Sequence, residues 1–188
     1  MSYALLIAGW TLFGLLHSVL ASQTIKKFFA GMGLNPQGYR LAYVLISTVT
    51  TLGMLLGNGM ISSQPFFNSS GIVRYFSLVL ATFGVLVIRA AFRQYRLFAF
   101  LGLAEEHDAF VTSGILGKVR HPLYSGTLLI VLGFFLFSPN PPTLVSALCV
   151  TIYTLIGMKL EERRLIARLG DTYREYQKRV PALIPRFL

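Results

Sequence analysis

Apolar residues in this 188-residue chain gather in five long blocks, near residues 3–21, 41–57, 72–92, 123–138 and 143–160. A helix needs roughly 20 apolar residues to cross a bilayer core, and backbone inside lipid must satisfy its own hydrogen bonds. The blocks therefore predict an all-α integral membrane protein of about five transmembrane helices. Charged residues make up only 13% of the chain, about half the share usual in a soluble domain.

The basic residues orient those helices. Sixteen of the 17 Lys and Arg residues fall in segments 22–40, 93–122 and 159–188 or, for Arg89, at the matching end of the third span; connections 58–71 and 139–142 have none. Lys and Arg mark cytoplasmic segments, so the N-terminus is expected outside and the C-terminus in the cytoplasm. Lys26 and Lys27 follow the first block rather than precede it, which reads as an uncleaved span. For a prokaryotic source this means a bacterial or archaeal inner membrane. The formal net charge of +10 then reflects attraction to anionic membrane lipids, and no Walker, zinc-finger or RNA-binding pattern argues for nucleic acid. The single Cys149 excludes an intramolecular disulfide, and no Cys/His cluster is spaced to hold a metal.

One membrane domain is expected. Three spans over 1–92 lead to a cytoplasmic connector at 93–122, in which Glu105, Glu106, His107 and Asp108 read as solvated. A hairpin over 123–160 turns at Pro139-Asn140-Pro141-Pro142, and a helix and tail follow over 161–188. In that last segment Leu165, Leu169, Tyr173, Tyr176 and Val180 recur at helical spacing, one apolar face of an amphipathic helix at the membrane surface. Gly170 marks a kink in it, and Pro181 and Pro185 end it.

Two polar signatures stand at the inner edges of the hairpin: Arg120-His121-Pro122-Leu123-Tyr124 before it and Glu161-Glu162 after it. Charges at such a depth are costly unless partnered. Singly, each has a bland use: Arg120 as a phosphate anchor, His121 as a carbonyl partner, Pro122 as a helix start. Together they point to a site.

The stretch Gly114-Ile115-Leu116-Gly117-Lys118-Val119-Arg120-His121-Pro122-Leu123-Tyr124-Ser125-Gly126 resembles the signature Gly-x-Tyr-x-x-x-Arg-His-Pro-x-Tyr-x-Gly. Glu161-Glu162-x-x-Leu165, followed by Leu169-Gly170-x-x-Tyr173-x-x-Tyr176-x-x-x-Val180-Pro181-x-x-x-Pro185, is similar to the second half of the same pattern. The family is that of the isoprenylcysteine carboxyl methyltransferases and phospholipid N-methyltransferases. The resemblance implies methyl transfer from S-adenosylmethionine (SAM) to a lipophilic or membrane-associated small acceptor, in a cytoplasmic pocket formed with the C-terminal helix. It assigns Gly114, His121, Pro122, Leu123, Tyr124, Gly126 and Glu162 to the SAM pocket. Arg120, Glu161 and Arg164 fall near the transferring methyl. The chain departs from the pattern at Leu116, where the family has Tyr, and at Leu169, where it has Phe.

The N-terminal half loosely resembles nurim-like proteins and bacterial thiol methyltransferases, through Leu16-His17-Ser18-Val19-Leu20-Ala21-Ser22 and Tyr39-Arg40-Leu41-Ala42-Tyr43. His17 is the added candidate there, as proton acceptor for a nucleophile or as an interhelical contact. The acceptor atom, O, N or S, stays open. The alternative reading is a non-catalytic, nurim-like membrane-organising protein.

Overall fold

The computed structural model describes residues 3–95 and 110–186, and the acidic connector residues Glu105, Glu106, His107 and Asp108 lie outside them. The helices are α1 (Tyr3–Ala21), α2 (Gln23–Gly31), α3 (Pro36–Gly59), α4 (Gly71–Tyr95), α5 (Pro122–Phe137), α6 (Pro141–Leu169) and α7 (Asp171–Arg179), with one 3-10 turn at Gly114–Gly117. No strand occurs among the described residues. By length and composition α1, α3, α4 and α6 can each cross a membrane, and α5 is a shorter apolar helix. At 1.5 Å per residue α5 reaches about 24 Å and α6 about 43 Å, so α6 outruns a hydrocarbon core of about 30 Å.

Local chemistry sets the ends. The Ser22 side chain accepts from the Ile25 N–H at 3.4 Å and starts α2, and Asn35 accepts from the Gly38 N–H at 2.6 Å and starts α3 behind Pro36. Between them Gly33 turns the chain with φ +88°, a conformation only glycine takes without cost. Helix α2 was not expected from the hydropathy blocks, because it is only nine residues long and holds Lys26-Lys27. At the other end of the chain no breaker separates Leu160 from Leu169, so the fifth span runs without interruption through Glu161-Glu162. The turn comes at Gly170, φ +57°, and α7 follows as a separate helix.

The described residues group into two compact units: 3–64, 95 and Asn140–Cys149 form one, and Pro65–Gln94, 110–139 and 150–186 form the other. In the first, a buried polar ladder joins α1, α3 and the start of α6. Trp10 Nε1 donates to Ser146 Oγ (2.9 Å), Ser146 Oγ to Asn58 Oδ1 (2.8 Å) and Asn58 Nδ2 to Thr143 Oγ1 (3.2 Å). Such side-chain bonds bind helices where the surroundings are as apolar as the core. His17 belongs to this unit and pairs with the Tyr43 hydroxyl at Nε2 (2.5 Å) and with Ser47 Oγ at Nδ1 (3.0 Å).

In the second unit α4 and α5 touch backbone to backbone. A Cβ on Gly84 would lie 2.6 Å from the Gly126 carbonyl oxygen, one on Gly126 equally close to the Gly84 oxygen, and one on Gly133 2.7 Å from the Ser77 oxygen. Gly126→Ala should therefore cost about 1–3 kcal/mol and lower the thermal midpoint of the detergent-solubilised protein. Gly53→Ala, where a Cβ meets nothing within 4 Å, should leave that midpoint unchanged.

Candidate functional site

The polar signatures flanking the hairpin meet in the second unit. Gly114 opens the approach with φ +61°, where a Cβ would collide with the Gln94 side chain at the end of α4. The 3-10 turn buries Leu116 and leads to Arg120 and His121, and Pro122 then begins α5. The backbone is stitched to the C-terminal tail: the Arg120 N–H donates to the Pro181 carbonyl (2.9 Å) and the His121 N–H to that of Ala182 (3.0 Å). Ser125 Oγ adds a bond to the Leu183 carbonyl at 2.7 Å.

One carboxylate oxygen is the hub. Glu162 Oε1 accepts from Arg120 Nε (2.9 Å), from Arg120 Nη2 (2.6 Å) and pairs with His121 Nε2 (3.0 Å). Arg120 Nη1 donates to the carbonyls of Gln177 (3.2 Å) and Val180. The Arg120 side chain is 11% exposed and that of Glu162 18%, so these bonds act where solvent screening is weak. Glu161 is 45% exposed, accepts from the Tyr124 hydroxyl at 2.7 Å and lies 3.9 Å from His121 Nδ1. The Tyr124 ring stacks on the His121 imidazole, centroids 5.5 Å apart.

Helix α7 closes over this hub. Tyr173, Tyr176 and Val180 are buried against Phe110, Leu165, Ile166 and Leu169, so the apolar face read from the sequence packs on the chain itself. The Tyr176 hydroxyl donates to the Leu116 carbonyl at 2.5 Å. The Tyr173 hydroxyl is buried within the electrostatic reach of Arg120 and Glu162, yet makes no hydrogen bond of normal geometry among the described residues. Burial, with the nearby Glu162 carboxylate, pushes the Tyr173 phenol well above its ordinary range, and burial pushes Tyr176 up. Both are therefore neutral near pH 7, and Tyr173 is a hydroxyl to be satisfied, not a phenolate base.

Of the residues singled out in the sequence, Arg120, His121, Pro122, Leu123, Tyr124, Glu161 and Glu162 come together here, and Gly114 shapes their approach. Gly126 lies at the α4–α5 crossing. Arg164 is on the exposed surface of α6, and His17 belongs to the other unit. By spacing alone Tyr173 and Tyr176 read only as part of an apolar face. The available signal was that a helical face which Leu or Phe would fill carries hydroxyls at two positions.

The chain matches the NnrU protein family over residues 5–186. It belongs to that family. Methanethiol S-methyltransferase 2 of Bradyrhizobium diazoefficiens is 33% identical to this family member over 188 residues, spanning 94% of this chain and 70% of that protein. Methanethiol S-methyltransferase of Pseudomonas deceptionensis is 30% identical over 93% of this chain and 70% of its own length. Protein-S-isoprenylcysteine O-methyltransferase B of Arabidopsis thaliana is 35% identical over only 83 residues, 43% of this chain and 42% of that protein. No solved structure matches. These relatives make methyl transfer the enzyme class of this membrane protein.

Two outcomes follow from the hub. Glu162→Ala leaves a buried guanidinium and imidazole without their carboxylate, and should cost about 3–5 kcal/mol in thermal unfolding, whereas Glu161→Ala, half exposed, should cost under about 1 kcal/mol. Because Tyr173 is held neutral when folded, its stabilising share is intact below the ordinary phenol value of about 10. That share is lost as pH rises above it. Unfolding between pH 9 and roughly 11 should show a smaller decline for Tyr173→Phe than for the parent protein.

Proposed function

We propose that this NnrU-family protein transfers a methyl group from SAM to a small thiol or another lipophilic, membrane-associated acceptor at the cytoplasmic face. The observation that carries the reading is the buried Glu162 hub with a spare tyrosine hydroxyl beside it, in a chain whose relatives along nearly its whole length bear the name methanethiol S-methyltransferase.

The residues present fit the donor. SAM offers an ammonium group and ribose hydroxyls that need acceptors, and a carboxylate that needs a donor. Glu162 Oε2 is left over from the hub among the described residues, Glu161 is half exposed, and the Tyr173 hydroxyl has no hydrogen bond of normal geometry among those residues. When bound, SAM supplies a methyl group on a sulfonium, open to in-line attack by a nucleophile.

What this chain contributes is positioning and charge. With four hydrogen bonds directed to Glu162 and two carbonyls, Arg120 is proposed as a positioning residue that locks α6 to the tail. His121 fixes Glu162 from the other side, and Tyr124 orients Glu161. Glu161, 45% exposed, is the proposed group for the cationic end of the donor or the proton of a thiol. Gly114, Pro122, Leu123 and Gly126 set the backbone around them. His17 has both ring nitrogens engaged by hydroxyls, so a proton would reach it only through Tyr43 or Ser47. The supported role for Arg164 is peripheral.

A thiol ranks first among acceptors because the relatives named for it cover nearly the whole chain, whereas those named for isoprenylcysteine cover less than half. Calorimetric titration of the folded, detergent-solubilised protein with SAM and with S-adenosylhomocysteine should show saturable binding of both. Tyr173→Phe should weaken SAM binding about 5- to 100-fold, the worth of one buried hydrogen bond to a charged or polar partner. Its thermal midpoint without SAM should change little, because the one group beside the hydroxyl, the Arg120 guanidinium, does not bond it with normal geometry. Absence of binding by either ligand would favour the membrane-organising alternative. Methyl transfer to methanethiol, a prenylcysteine and a phospholipid then selects the acceptor.

A further inference from the structure

The first unit holds a cavity of about 560 Å³ at the end of α1, lined by Gln23, Lys26 and Lys27 of α2 and by Tyr39, Arg40 and Tyr43 of α3. That volume is within the range of ligand sites. Among the described residues the charge on its wall is basic, from Lys26, Lys27 and Arg40. Neither Lys26 nor Lys27 makes an ion pair among the described residues. Gln23, Tyr39 and Tyr43 add polar groups, and Tyr39 is held in place by its bond to the Leu20 carbonyl (2.6 Å) and by the Phe29 ring of α2, 5.5 Å away.

The position of the cavity says what can reach it. It lies where two membrane-crossing helices end and a short helix runs between them. Phe28 of that short helix and Met32 at its C-cap are 61% and 69% exposed, near its lysines. Apolar side chains next to lysines on a helix too short to span are the pattern of an element lying in the headgroup layer, and basic pockets between helix ends accept anionic headgroups.

We propose that this cavity is a binding site for a phosphate-bearing anion, supplied in the membrane by the headgroup of an anionic phospholipid. Lys26 and Lys27 hold the phosphate, Arg40 adds positive charge at the wall, Gln23 hydrogen-bonds the rest of the headgroup, and the acyl chains run along the apolar faces of α1 and α3.

The test uses the whole protein reconstituted in phosphatidylcholine nanodiscs doped with phosphatidylglycerol, then released into detergent, with retained lipid counted by native mass spectrometry. The parent should retain phosphatidylglycerol in preference to phosphatidylcholine. Lys26→Gln/Lys27→Gln/Arg40→Gln should lose it roughly 10- to 100-fold, at about 1 kcal/mol per cation. Arg174→Ala/Lys178→Ala/Arg179→Ala removes the same charge from exposed α7 positions and should keep it. Circular dichroism confirms helicity, and if the triple variant does not fold, Lys26→Gln/Lys27→Gln alone carries the comparison. Saturable binding of inorganic phosphate to lipid-stripped parent, lost in the cavity variant and without lipid retention, would assign the same site to a soluble phosphate compound. Equal loss in the cavity and α7 variants, or retention of neither lipid nor phosphate by the parent, would overturn the proposal.

Discussion

The second unit is organised around a single oxygen atom. Glu162 Oε1 receives two guanidinium N–H groups and an imidazole nitrogen, all from the segment leading into α5, which backbone bonds from Arg120 and His121 also tie to the C-terminal tail. A carboxylate and a guanidinium brought this far from water are costly alone and tolerable only as a closed set. That all-or-nothing character is what makes the cluster useful. It fixes the start of α5, the end of α6 and the C-terminal tail relative to one another, and α7 then lies across them with its tyrosines inward.

Around that hub the membrane sets different rules for the two units. In the second, glycines at 84, 126 and 133 let α4 and α5 approach until backbone meets backbone, where packing replaces the missing hydrophobic drive. In the first, the Trp10–Ser146–Asn58–Thr143 ladder and the His17–Tyr43–Ser47 group join helices through hydrogen bonds instead. Helix α6 is longer than a crossing needs. It starts apolar, crosses, and continues until its acidic pair stands beyond the apolar stretch.

The long helices were legible because the hydrocarbon core admits little else, and α1 coincides with the first apolar block residue for residue. Helix α2 was not, since Lys26-Lys27 reads as a loop charge until Ser22 is seen as its cap. The two halves of the site were visible as motifs, but which carboxylate receives Arg120 depends on the rotation of α6, and Glu161 and Glu162 are indistinguishable by type. Tyr173 was hidden differently: its spacing fits an apolar face completely, and only burial without a partner marks its hydroxyl. Gly126, conversely, falls within the signature and occupies a helix crossing.

Hydrogen–deuterium exchange of the solubilised protein with and without SAM tests the central claim most directly, because it reports where the donor acts without assuming an acceptor. The Glu162 hub as donor site predicts new protection in 114–124 and in 161–183, with exchange elsewhere little altered. Saturating SAM that protects neither segment would contradict it.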